Sequence, residues 1–296
     1  MGTRKNYKHY YLMLAPMFIW MAAFNLLPLM HTSMAFQDYT PKNGIFHSPW
    51  VGLEWFEYMF TLSDTPRIIL NTFIISAGKI ALNLAVPLAF ALLLHEVWHL
   101  RFKRLVQTVV ILPHFMSWVI LSGILLQIFS LSGPVNALRD AFGLARISYF
   151  SQPTMFRQFV VGSDVWREFG FNAIIYIAAL TNVDPGLYES AAMDGAGRWR
   201  RLLHITLPVI STTVVLLAVL SLGNVLNAGF EQILNMYNPL VYSTGDILDT
   251  WVYRTGFVRI QPSLAAAAGL LKSVVALVMI AISYTLAYFF ADYRIF

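Results

Sequence analysis

Asn182-Val183-Asp184-Pro185-Gly186-Leu187-Tyr188-Glu189-Ser190-Ala191-Ala192-Met193-Asp194-Gly195-Ala196-Gly197-Arg198-Trp199-Arg200-Arg201 is a polar island between two apolar runs, residues 158–181 before it and 204–230 after it. Asp184 is a residue type whose side-chain oxygen caps the first amides of a helix, and Pro185 carries the fixed φ that suits the first helical position. Gly195 or Gly197 can adopt the left-handed conformation that closes a helix. The island therefore predicts a short helix over 185–194, a break, and a second helix that returns to an apolar run. Ser190, Ala191 and Ala192 are small enough to let another surface approach closely. Glu189 and Asp194 offer acceptors to Arg or Lys on such a surface.

Outward from the island, the apolar runs are long. Crossing the hydrocarbon core takes about 20 mostly apolar residues, and six segments meet that length: 12–34, 68–94, 105–129, 158–181, 204–230 and 264–290. The fourth carries Asp164, Arg167 and Glu168 in its first half and is the least apolar. Of the 296 residues 58% are hydrophobic and 12% charged, whereas soluble chains carry about 25% charge. The composition therefore indicates an all-α integral membrane protein. Ten Lys and Arg, among them Arg4, Lys5, Arg104, Arg201 and Arg294, fall in the short segments 1–11, 95–104, 182–203 and 291–296. Only seven fall in the longer segments 35–67, 130–157 and 231–263. Because cytoplasmic loops retain the excess of cations, this places both termini and the 182–203 island in the cytoplasm. The division expected is an amino-terminal part, 1–66, with a cytoplasmic segment, the first membrane helix and an external loop, and a core, 67–296, with the other five helices. The formal charge of +5 is spread thinly between apolar runs, which argues against a nucleic-acid surface. With no cysteine there is neither a thiolate metal site nor a cysteine nucleophile.

The island also carries a family resemblance. Glu189, Ala191, Asp194, Gly195 and Ala196, followed by Ile205, Leu207 and Pro208, resemble the EAA loop of binding-protein-dependent ABC importer permeases. That pattern is Glu-Ala-Ala, then Gly, nine residues, and Ile-x-Leu-Pro, with Ala196 to His204 here supplying the nine. Ser190 departs from it by one small residue for another. Arg101-Phe102-Lys103-Arg104 before Leu112-Pro113-His114-Phe115, Tyr176-Ile177-Ala178-Ala179-Leu180 and Gly229-Phe230-Glu231-Gln232 are similar to the permeases of oligosaccharide and polysaccharide importers. The resemblance implies the type I importer permease architecture in a bacterial cytoplasmic membrane, surrounded by lipid. It also implies a heterodimer with a second permease, ATP-binding cassette subunits seated under residues 182–208, and an extracytoplasmic solute-binding protein. Glu189, Ser190, Ala191, Ala192, Asp194, Gly195, Ala196, Gly197, Ile205, Leu207 and Pro208 become the expected coupling residues. The chain is then a transport subunit and not an enzyme, it needs no cofactor or metal, and its cargo is a carbohydrate.

Two other function classes compete. His95-Glu96-Val97-Trp98-His99 spells H-E-x-x-H, which on a helix sets two imidazoles on one face for zinc hydrolysis. The cationic Arg101, Lys103 and Arg104 beside it disfavour a metal. A secondary transporter would also have buried charges, but no inverted repeat is visible. The chain has no Gly-x-x-x-x-Gly-Lys-Ser/Thr phosphate loop, so ATP must be used by a partner. Polar groups inside apolar runs are functional candidates by default, here Lys79, Arg167, Glu168, Asn172, Asn227 and Lys272, with Glu231 at the end of the fifth run.

Overall fold

A computed structural model describes residues 8–291 of the chain, and Arg4, Lys5 and Arg294 lie outside the described residues. The elements are helices: α1 (Lys8–Phe36), α2 (Thr65–His95), α3 (Leu100–Phe115), α4 (Trp118–Ile128), α5 (Pro153–Thr181), α6 (Pro185–Met193), α7 (Arg198–Leu222), α8 (Phe230–Met236) and α9 (Pro262–Ala291), joined by shorter helical turns. The one β contact among the described residues is an isolated antiparallel bridge between Gln37 and Trp50.

Residues group into two compact units, Met1–Thr65 with Trp251–Ser273, and Pro66–Thr250 with Val274–Phe296. In the first, Ser263 accepts the Tyr39 amide at 2.9 Å and Thr65 donates to the Met59 carbonyl at 2.6 Å. None of residues 8–29 of α1 is fully buried and most are exposed; Met17 and Trp20 are 69% and 64% exposed. An all-round apolar helix with nothing on it belongs to lipid or to another membrane helix.

The second unit holds two apolar clusters. Ile75, Trp118, Leu121, Phe156, Val160 and Ile233 form one apolar cluster, and Ala91, Ala173, Tyr176, Leu180 and Ile210 form another. Small residues set the helix spacing: a Cβ on Gly170 of α5 would overlap the Val110 carbonyl of α3, so the two backbones can touch only because Gly170 has none.

Among the described residues four helices, α1, α2, α7 and α9, are long and apolar enough to span a bilayer. The expected third span, 105–129, is not one helix. It breaks between Phe115 and Trp118, and α3 and α4 meet at 104°. Pro113 cannot donate to the ladder, and Ser117 starts a new helix by accepting the Ile120 amide at 3.4 Å. The fifth run, 204–230, is helical only to Leu222, where Gly223 and Asn224 turn the chain into a seven-residue irregular stretch before α8. The fourth, α5, is 29 residues long. It is one unbroken helix despite its charges.

Candidate functional site

Irregular backbone is tolerated at membrane depth only where it is buried in protein or lines a water-filled cavity. The stretch 223–229 does line one, a cavity of about 550 Å³ between α2, α5 and the end of α7. This volume falls within the range of small-molecule sites, about 300–1,000 Å³. Asn83 and Asn172 come from the two long helices, Ser221 from the end of α7, and Asn224 and Asn227 from the irregular stretch. The stretch is pinned from α2 by Ser76, whose hydroxyl donates to the Val225 carbonyl.

Three charged groups reach the cavity, and each is engaged. Lys79 Nζ donates to Asp164 Oδ1 at 2.9 Å and also to Gln232 Oε1. Asp164 Oδ2 accepts from Asn83 at 2.9 Å. Gln232 is oriented by its own amide, which donates to the Val160 carbonyl at 2.7 Å and to Ser163 at 2.9 Å, leaving its oxygen for Lys79. Gly229 holds φ +92°, and a Cβ there would meet Lys79 Nζ. Glu168 Oε1 accepts from Arg167 at 2.6 Å, and Oε2 lies 2.7 Å from His114 Nδ1. A buried charge that is paired on every face costs far less than a lone one.

Arg167 does different work from the other candidates. Its Nη2 donates to the His114 and Met116 carbonyls at 3.1 Å each, and the guanidinium sits 4.8 Å over the Trp118 ring. Those carbonyls are orphaned by the 104° break between α3 and α4, so Arg167 satisfies backbone that lipid could not. It does not line the cavity, and its buried Nε–H has no partner among the described residues.

At the other end of α5 stands the island. Asp184 Oδ1 accepts the Gly186 amide at 2.9 Å and caps α6. At its carboxyl end the Gly195 amide donates to the Ala192 carbonyl at 3.1 Å and the Ala196 amide to Ala191 at 2.8 Å, with Gly195 at φ +74°. This is the Schellman closure, and of the two glycines only Gly195 is left-handed. Glu189, Asp194 and Gly195 are exposed, and Met193 is 89% exposed. The island is fastened to α7 by Tyr188 to Thr206 at 2.9 Å and by Arg201 Nε donating to the Ala196 carbonyl at 3.0 Å. Ile205 and Leu207 pack on the Tyr176 cluster. Pro208 has no amide to donate, and the residues before it form a π turn in which the Leu207 amide reaches back to Leu202.

The profile of the family described as "Binding-protein-dependent transport system inner membrane component" matches residues 82–293. The chain belongs to that family. It is 40% identical over 281 residues to protein LplB of Bacillus subtilis, covering 95% of this chain and 88% of that one. It is 39% identical over 290 residues to the polygalacturonan/rhamnogalacturonan transport system permease protein YteP of Bacillus subtilis, covering 98% and 90%. A crystal structure of a bacterial ABC transporter involved in the import of the acidic polysaccharide alginate superposes with a TM-score of 0.88 at 36% identity, covering 97% of each chain. The fold is thus the type I importer permease fold, and the chain is a multi-pass protein of the inner membrane.

Within this transport permease, the sequence candidates separate. Lys79, Glu168, Asn172 and Asn227 share the cavity. Lys272 lies on α9 in the other unit, and Glu231 is exposed in the first turn of α8; neither lines it. Asp164 and Gln232 complete the site and were not among the candidates. Asp164 was visible as a charge within an apolar run, but nothing local reveals its partner 85 residues away. The H-E-x-x-H pentapeptide loses its helical premise, because α2 ends at His95 and His99 has extended backbone before α3, so the imidazoles are not one turn apart. Among the described residues no group of three His, Asp or Glu could hold a metal.

Proposed function

We propose that this chain is the membrane-spanning permease of an ATP-driven oligosaccharide importer, forming one wall of the solute path and passing the motion of a separate ATPase to it. The observation that carries the reading is continuity. The island leaves α5 at Thr181 and enters α7 at Arg198, and these same two helices wall the polar cavity through Asp164, Asn172, Leu217 and Ser221. A push on α6 is therefore delivered to α7 through Tyr188–Thr206 and Arg201–Ala196, and to α5 through the chain at Thr181 and the packing of Tyr188 on the Ala173, Tyr176 and Leu180 cluster.

In this reading Glu189, Ser190, Ala191, Ala192, Asp194, Gly195, Ala196 and Gly197 meet the ATP-binding cassette subunit, and Ile205, Leu207 and Pro208 set the angle of α7. The bilayer is crossed six times, by α1, α2, the broken pair α3 and α4, α5, α7 and α9, with both termini in the cytoplasm. Residues 1–66 supply the first membrane helix and an external loop, and 67–296 the other five spans and the coupling loop. A second, related permease completes the path and the uncovered face of α1, and an extracytoplasmic solute-binding protein delivers the cargo. ATP hydrolysis belongs to the partner chain. Carbohydrate cargo is supported by the transport names of the relatives and by the amide-rich cavity. The test is uptake of labelled oligosaccharides into proteoliposomes holding the assembled importer. Uptake should require both ATP on the island side and the solute-binding protein, and uptake indifferent to ATP would overturn the reading.

A further inference from the structure

Two of the proteins named above are described as importing polygalacturonan/rhamnogalacturonan and the acidic polysaccharide alginate, so a cation waiting for a sugar carboxylate would be expected in the path. The cavity of this chain has none. Lys79 is 6% exposed and is held by Asp164 and Gln232, while both oxygens of Asp164 already have donors, from Lys79 and Asn83. Both oxygens of Glu168 are likewise engaged, by Arg167 and His114. With Lys79 and Arg167 against Asp164 and Glu168, the formal charges around the cavity cancel. To bind a carboxylate, Lys79 would have to leave Asp164, a largely buried anion that would keep only the neutral Asn83 donor.

Neutral groups are what remain open. The side-chain amides of Asn224 and Asn227 make no hydrogen bond among the described residues, and both are exposed at the cavity edge. Asn172 donates weakly to Asn83 at 3.4 Å and keeps its carbonyl oxygen. Each amide can both donate to and accept from a hydroxyl, the pattern that a sugar ring offers.

We infer that the wall this chain contributes to the path recognises saccharide hydroxyls through Asn172, Asn224 and Asn227 and is indifferent to sugar carboxylates, because every charge reaching the cavity is neutralised within the chain. The inference rests on the saccharide reading above and adds to it that discrimination between acidic and neutral cargo is made before the membrane path, by the solute-binding protein.

The probes are trigalacturonate and its fully methyl-esterified form, which share a skeleton and differ in charge. Binding of each to the assembled importer in nanodiscs, without the solute-binding protein, is measured at low and high salt. The two should bind within about three-fold of each other, with little salt dependence, and Asn224→Ala and Asn227→Ala should weaken both in parallel, each by about three- to ten-fold, the scale of one hydrogen bond. A preference of about ten-fold or more for either probe, or trigalacturonate binding that falls steeply with salt, would overturn the inference while leaving the importer reading intact. Binding of neither probe by an importer that still takes up saccharides would overturn it as well. Failure of the importer to take up any saccharide would instead remove the proposed function on which it rests.

Discussion

Lys79→Met is the most revealing single change in the membrane core. It removes the cation from a carboxylate whose two oxygens are held at 2.9 Å by Lys79 and by Asn83, leaving Asp164 with one neutral donor in a largely buried place. Breaking a buried pair from one side costs about 3–5 kcal/mol. Asp164→Leu does the reverse and strands Lys79 with only the Gln232 oxygen. The double variant Lys79→Met/Asp164→Leu removes both charges, and apolar replacement of a whole buried pair is near neutral, within about 1–2 kcal/mol. The double should therefore be more stable than either single, the reverse of additivity. The assay is unfolding of the purified importer in detergent, followed by tryptophan fluorescence, with assembly checked by co-purification. If either single variant lies within about 1 kcal/mol of wild type, or the double is the worst of the three, the pair is not the tie that joins α2 to α5.

Topology is tested with single cysteines in a chain that has none: Gly197→Cys should resist a membrane-impermeant thiol reagent in intact cells, and Gly143→Cys should react. Equal labelling of both from outside would reverse the orientation. At Gly195 an added Cβ meets no atom within 4 Å, so Gly195→Ala should carry only the left-handed backbone penalty of about 1–2 kcal/mol, and the β-branched Gly195→Val more. Solute-stimulated ATPase activity should fall in that order with sugar binding unchanged; equal activities would remove the geometric argument. Outside the spans, Arg146 bonds Asp140 at 2.8 and 2.6 Å and holds its carboxyl below the usual range. That contribution is present at neutral pH and is lost only as pH falls below the ordinary carboxylate pKa of about 3.9. The amide protection factors of residues 139–147, with the intrinsic pH dependence of exchange divided out, should stay constant between pH 7 and pH 5; a fall in that window would contradict the clasp.

What was legible in the sequence was local. Asp184, Pro185 and Gly195 bound the island helix because capping and left-handed closure depend on neighbours in the chain, and α6 runs from Pro185 to Met193 between them. Long apolar runs announced α1, α2 and α9 for the same reason. The 104° break was hidden because 105–129 is apolar on average, although Pro113 and Ser117 stood in it; what permits the break is Arg167, about fifty residues later, capping the freed carbonyls. The early end of α7 was signalled only by Gly223 and Asn224. Choosing Glu231 over Gln232 missed by one residue: α8 starts from Gly229 in a conformation that sets its phase, so Gln232 faces inward and is fully buried while Glu231 is exposed. The Lys79–Asp164–Gln232 tie joins three separate parts of the chain, and such pairing leaves no periodicity to read.

The central claim is that α6 passes ATPase motion to a saccharide path. Its most direct test is ATP-driven oligosaccharide uptake by proteoliposomes holding the assembled importer, wild type against Glu189→Ala. Glu189 is exposed on α6, and a charge-assisted bond that its carboxylate would accept from a basic group of the ATPase is worth about 1.5–3 kcal/mol. Uptake should fall at least about ten-fold in the variant, with the subunits still co-purifying and sugar binding unaltered. Wild-type uptake by Glu189→Ala would contradict the claim.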